Sequence, residues 1–259
     1  MRKLLLIPVL ILSFEILAEA TTWPQLVLGG GYQAVILLSN KRSTDFNGQF
    51  YAKQGHEQAW AGTLRVNGQN YTGQGYFYVT VPAYTTIKLV LTGDDAGQPQ
   101  TGYLFMWGTG GSLASDVGVS YFYEYYVNGK LAMSNGSIAG ASHTTFYLPL
   151  EHSGTASAGV NTGLAWAPDV TLTPNQFNIT ATLFLNDKTG VGQLYASKTL
   201  AYSGHAAQYI TDIFPELSGT DFKGFLKLDA GYTFFLEVLR IDTSDTGFLL
   251  TSTPPDFTP

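Results

Sequence analysis

Cysteine is absent from this sequence. That excludes disulfides, thiolate metal sites, a cysteine nucleophile and a lipid-modified N-terminal cysteine. Charge is scarce as well. Charged residues make up 12% of the chain and the net charge is −6, about half the charged share of an ordinary globular protein. No run of Lys or Arg occurs beyond Arg2-Lys3, so there is no basic stripe to displace counterions, and nucleic acid is not an expected partner. No apolar run after residue 20 approaches the roughly 18 residues a membrane helix needs, so no transmembrane helix is expected in the mature chain.

Chemical motifs are also lacking. The four histidines, His56, His143, His152 and His205, form no H-x-x-x-H or other ligand spacing, and each reads as a loop or turn residue. There is no G-x-S-x-G nucleophile turn. Gly108 to Ser112 is glycine-rich but lacks the Lys-Ser/Thr of a phosphate loop. Asp94-Asp95, and Asp242 with Asp245, do not have calcium-loop spacing and read as Asp-rich turns. No catalytic residue, metal or cofactor is therefore assigned. Glu124 and Glu237 fall at equivalent places in two hairpins, and a glycosidase pair would require them to lie within roughly 5 to 10 Å of each other. Both read instead as outward-facing strand residues.

What is present is glycine (29), tyrosine (16) and phenylalanine (16), with many Val and Thr. That composition suits sheets with tight turns. The N-terminus reads as a secretory leader: basic Arg2-Lys3, apolar Leu4 to Leu17, and the A-x-A site Ala18-Glu19-Ala20, giving a mature chain from Thr21. Val117 to Ser134 reads as a long strand, an Asn128-Gly129 turn and a return strand, since both turn residues tolerate positive φ. Tyr232 to Ser252 repeats that construction around the polar turn Asp242 to Gly247.

The rest of the chain falls into two series. In the first, strands are expected at Tyr32–Ser39, Phe46–Ala52, Tyr76–Val81, Thr86–Leu91 and Gly102–Trp107, with Lys53 to Gly75 as an excursion from the sheet. In the second, Asn161–Ala167, Phe177–Leu185, Leu194–Tyr202 and Gly224–Leu228 match members of the first in order. A repeat of this length means two domains rather than a solenoid. One helix is expected at Ala206–Phe214, from apolar residues at i, i+3, i+4 and i+7 stopped by Pro215. The expected fold is all-β, two tandem antiparallel Ig-like β-sandwiches with one short helix in the second: leader 1–20, first sandwich 21–141, second sandwich 142–259.

Several of these segments also resemble a family of secreted bacterial tandem β-sandwich proteins, mostly hypothetical and with no assigned activity. They are Trp23-Pro24, Gly29 to Tyr32 and Val35 to Asn40 in the first half. In the second half they are Phe214-Pro215, Gly224 to Leu228, Leu239-Arg240 and Phe248 to Pro254. The resemblance implies a fold and an export route, and no activity.

Aromatic density is the one unusual feature. Tyr121, Phe122, Tyr123, Tyr125 and Tyr126 put rings on both faces of one strand, and Tyr76 and Tyr78 stand on the wetter face of another. Tyr76, Tyr78, Tyr121, Tyr123 and Tyr125 are therefore the candidate binding residues. Exposed, they form a platform for sugar stacking or protein contact. Packed, they lie against the other domain or under the excursion. The expected protein is secreted, to the periplasm or the cell exterior, and non-catalytic. It is a structural or interaction protein of adhesion or matrix type, with a protein or polysaccharide surface partner. A carbohydrate-binding module is the alternative and a secreted hydrolase a distant one.

Overall fold

The computed structural model describes residues 20–55, 58–94, 97–109, 116–137, 142–155, 158–169, 177–186, 192–202, 204–242 and 249–253. The first half contains β1 (Ala20–Leu28), β2 (Tyr32–Asn40), β3 (Phe46–Gln54), β4 (Gln58–Ala59), β5 (Arg65–Val66), β6 (Gln69–Asn70), β7 (Tyr76–Val81), β8 (Thr86–Thr92), β9 (Gln100–Thr109), β10 (Val117–Val127) and β11 (Lys130–Ser137). They form two antiparallel sheets. One runs β1-β9-β3-β4 with β7 also on β3, and the other runs β11-β10-β2-β8-β5-β6. Alternation decides which side chains meet between them. On β3, Phe46, Phe50 and Ala52 point in, and on β7 Phe77, Val79 and Val81 do. Phe50 stacks on Phe77 at 5.0 Å, and Trp23 of β1 spans the gap to Tyr121 of β10 at 5.6 Å.

Turn chemistry sets the register. Asn128 (φ 50°) and Gly129 (φ 73°) make the expected left-handed turn of the β10–β11 hairpin, and Asn67-Gly68 repeats it between β5 and β6. Gly29-Gly30-Gly31 is the corner where the chain leaves one sheet for the other, with φ of 84°, 60° and 90°. A Cβ on Gly31 would sit 2.5 Å from the Tyr126 carbonyl oxygen, so this corner requires glycine for space as well as for φ. The Lys53 to Gly75 stretch departs from expectation. Instead of leaving the sheet, it joins β3 through β4 and β8 through β5, and it delivers Trp60 and Leu64 to the core. Its short apolar pieces close one open side of the sandwich, which a periodicity search over longer strands does not register.

The second half contains β12 (His143–Thr155), β13 (Ala158–Pro168), β14 (Phe177–Asn186), β15 (Gly192–Tyr202), β16 (Ala206–Tyr209), α1 (Ile210–Ile213), β17 (Phe222–Asp242) and β18 (Leu249–Thr253). The expected helix Ala206–Phe214 shrinks to the single turn α1. Ala206–Tyr209 pairs with β13 as a strand, and a 3-10 turn, Pro215–Leu217, follows. The apolar spacing was real, since Ile210, Ile213 and Phe214 are buried. Free sheet-edge hydrogen bonds on β13 outweigh helix propensity over the first four residues.

Pairing order corresponds strand for strand between the halves. β1-β9-β3-β7 is answered by β12-β17-β14-β15, and β11-β10-β2-β8 by β18-β17-β13-β16. The 21 residues of β17 take the places of both β9 and β10. Residues Phe222–Ala230 lie between β12 and β14, and Phe234–Asp242 run beside β13. The turn between β17 and β18 lies outside the described residues.

Each half has its own apolar cluster, one drawn from Trp23 to Tyr123 and one from Phe146 to Val238. The halves meet along a seam where Tyr103 and Phe105 of β9 pack on Ala167 of β13. There β17 is covered on both faces over Phe234–Val238, where every residue is buried, Glu237 among them.

Candidate functional site

Two features outside the cores carry chemistry. The first is the outer face of the β1-β9-β3-β7 sheet. With Leu104 and Met106 pointing in, β9 must point Tyr103, Phe105 and Trp107 out. Register then places Tyr51 of β3 directly opposite both Phe105 and Tyr76, and Gln49 opposite both Trp107 and Tyr78. The rings form a continuous strip. Tyr51 stacks on Phe105 at 4.6 Å, meets Trp107 edge-on at 6.4 Å and lies 6.1 Å from Tyr76, which meets Tyr78 at 5.9 Å. One end, Tyr103 and Phe105, is covered by the second half. The other end is open, with Tyr78 at 69%, Trp107 at 41% and Tyr76 at 37% exposure. Burial, with Tyr78 and Tyr76 adding, raises the Tyr51 phenol above its ordinary value, so its hydroxyl stays neutral at physiological pH. Lys53 lies over the Tyr51 ring at 5.7 Å. Polar Gln49 and the Thr80–Asn47 hydrogen bond border the rings.

Of the five sequence-derived candidates, Tyr76 and Tyr78 belong to this face. Tyr121 and Tyr123 do not. They point inward from β10, at 1% and 3% exposure, because they are the residues of that strand facing Trp23 and the seam. Tyr125 is half-buried and stacks on Tyr32 at 4.5 Å, on the other sheet. The platform is thus built from Tyr51 and Trp107 with Tyr76 and Tyr78, and not from the β10 tyrosines. Sequence reasoning missed Trp107 because GYLFMW is apolar at every position, so its period cannot say which set faces out, and it missed Tyr51 because only cross-strand register sets that residue beside Phe105 and Tyr76.

The second feature is a polar chain through the seam. A bulge in β1 between Trp23 and Leu26 frees the carbonyls of Pro24 and Gln25 from the ladder. The Gln25 carbonyl oxygen accepts from the Tyr121 hydroxyl at 3.1 Å and lies 2.6 Å from that of Tyr123. Tyr123 Oη also lies 2.8 Å from Oε2 of Glu237, which is 3% exposed. A phenol has one proton, and a carbonyl can only accept. Both short contacts are hydrogen bonds only when Glu237 is protonated and donates to Tyr123 Oη while Tyr123 donates to Gln25. Burial is the main force on Glu237 and raises its carboxyl to about 7, with Tyr123 and Ser137 pulling the other way. Its Oε1 is buried without a hydrogen-bond partner, which an ionised carboxylate tolerates least.

His205 completes the chain. Its Nε2 is 3.4 Å from Gln25 Oε1, its ring lies over Tyr103 at 6.2 Å, and burial lowers it to about 4 against a hydrogen bond with Pro24. His152 corrects the loop reading, as a buried strand residue with Nδ1 2.8 Å from the Thr220 carbonyl oxygen, whereas His205 is a loop residue as expected, placed in the seam just before β16. His143 opens β12, and His56 lies outside the described residues.

Glu237 is likewise not an outward-facing strand acid. Glu124 points to the opposite face of β10 from Tyr123, where it accepts from Gln33 at 2.6 Å and Tyr126 at 3.0 Å. The two carboxylates are separated by that sheet and cannot flank one glycosidic bond. Among the described residues no group of three His, Asp or Glu could hold a metal ion, and no helix is long and apolar enough to cross a membrane. Asp95, Asp245 and Gly110 to Ser112 lie outside the described residues. A crevice of about 330 Å³ opens beside the polar chain, between the halves, with Gln25 and Tyr123 in its wall. No protein-family model matches the chain, and no curated protein matches it.

Proposed function

We propose that this is an exported, non-catalytic recognition protein of adhesion or matrix type, built from two copies of one β-sandwich unit. The leader 1–20 is removed, and the units are 21–141 and 142–259. The correspondence of pairing order between the halves supports the duplication, and it agrees with the resemblance to secreted tandem β-sandwich proteins. All of the β1 pairings from Thr21 to Leu28 survive cleavage after Ala20. The observation that carries the reading is the open end of the aromatic strip. Tyr51, Tyr76, Tyr78 and Trp107 present large rings on a rigid sheet, where anchoring side chains lose little entropy on binding. The second reading is a carbohydrate partner. It is favoured by the neutral hydrogen-bonding border of Gln49, Asn47 and Thr80, which matches sugar hydroxyls beside stacking rings.

Trp107 provides the test. The other tryptophans, Trp23, Trp60 and Trp166, are at most 1% exposed, so exposed-tryptophan emission reports this face alone. The protein is titrated with a panel of polysaccharides and, separately, immobilised matrix proteins. Saturable binding with protection of Trp107 from acrylamide supports the reading, and the binding panel identifies the partner class. Turnover of glycoside or ester substrates would overturn it.

A further inference from the structure

The crevice between the halves has features of a small-ligand site separate from the aromatic face. Its lining includes the apolar Val27, Leu164 and Leu239 together with Tyr32 and Tyr209. Tyr32 is held by its stack on Tyr125, and Tyr209 is 46% exposed. Among the described residues of the lining, Asp212 is the only charged one, and none is Lys or Arg. The Tyr209 backbone N–H donates to Asp212 Oδ2 at 3.0 Å, which ties the carboxylate to the residue carrying the ring. Apolar walls with a few convergent polar groups are the usual composition of a small-molecule pocket. Here the charge has one sign and the rings are electron-rich at their faces. Anions and phosphates find no donor cation among the described residues of the lining. A cation finds one carboxylate and two tyrosine rings among the lining residues, the combination that favours a weakly hydrated ammonium.

We propose that this crevice binds a small organic cation of the quaternary-ammonium class, seated between Tyr32 and Tyr209 with its charge toward Asp212. The apolar part of the ligand lies along Val27, Leu164 and Leu239. Because the site is made from β1 and β2 of one half and β13, β16 and β17 of the other, an occupied crevice ties the halves together.

Choline serves as the probe, and its neutral carbon isostere, with carbon in place of nitrogen, as the control. Titration of the full mature chain is followed by calorimetry and by NMR of the tyrosine rings. Choline should bind saturably, the isostere about tenfold more weakly or worse, and added salt should weaken choline alone. Tyr209→Leu and Asp212→Asn should each cost about tenfold in affinity, while Tyr209→Phe, which keeps the ring, should bind nearly as wild type. Asp212→Asn keeps an acceptor for the Tyr209 N–H, so an unchanged melt for that variant separates loss of charge from loss of fold. Equal binding of choline and its isostere would overturn the proposal. So would no saturable choline binding, or binding that Tyr209→Leu and Asp212→Asn leave intact.

Discussion

Replacing Glu237 by Gln should stabilise this protein at alkaline pH, although it alters a buried, hydrogen-bonded residue. In the unfolded chain the carboxyl ionises near 4.5, whereas in the fold it holds its proton up to about 7. Between those values the folded state binds more protons than the unfolded one, so raising the pH destabilises the fold. The contribution is fully present below pH 4.5, is lost as pH rises through about 7, and is flat above. A tenfold change in proton affinity is worth about 1.4 kcal/mol, so the total loss is about 3 kcal/mol. A Gln amide donates to Tyr123 Oη as the neutral acid does, but it cannot ionise. Urea unfolding followed by the emission of buried Trp23 and Trp166 should therefore find Glu237→Gln equal to wild type near pH 4.5. Near pH 8 it should be more stable by about 3 kcal/mol. A variant less stable than wild type at pH 8 would refute the proton count at Tyr123, because it would mean that an ionised Glu237 is well satisfied in the seam.

Further outcomes follow from other parts of the fold. His205, lowered to about 4, should act with the opposite sign: acidification from 6.5 toward 4 destabilises the fold, less than fully because the ring is only half-buried. His205→Gln should remove that acid-side loss in the same urea series. Phe105→Ala should cost about 3 to 5 kcal/mol in unfolding free energy by leaving a cavity under Ala167. Tyr78→Ala should change stability by under about 0.5 kcal/mol while weakening partner binding, and a large drop in melting temperature would remove it from the platform. Gly31→Ala should cost about 1 to 3 kcal/mol in thermal unfolding, from positive φ and the clash with the Tyr126 carbonyl.

Local signals in the sequence foretold much of the architecture and less of the surface. Asn128-Gly129 specifies its hairpin because the turn residues alone satisfy the geometry. The matched segments of the two halves, such as Tyr32–Ser39 and Asn161–Ala167, take equivalent positions because each carries its own alternation and turn signals. Faces failed where alternation was lost. On β10 and β9 nearly every residue is apolar or aromatic, so only cross-strand register decides that Tyr121 and Tyr123 turn in while Trp107 turns out. Glu237 did leave a trace, as the one acid within the apolar run TFFLEVL. Such a run indicates a strand buried on both faces, and an acid inside it must be buried too. Its partners Tyr123 and Gln25 lie 114 residues from it and 98 residues from each other respectively, and no local pattern can pair them.

If partners settle on the open end of the aromatic strip, Trp107 must be covered when they bind. Acrylamide quenching is measured on the protein, alone and saturated with whichever polysaccharide or matrix protein it binds. The quenchable emission should come from Trp107, disappear in Trp107→Phe, and be shielded by the bound partner in wild type. Saturable binding that leaves Trp107 as quenchable as in the free protein would contradict the account and place recognition on another surface.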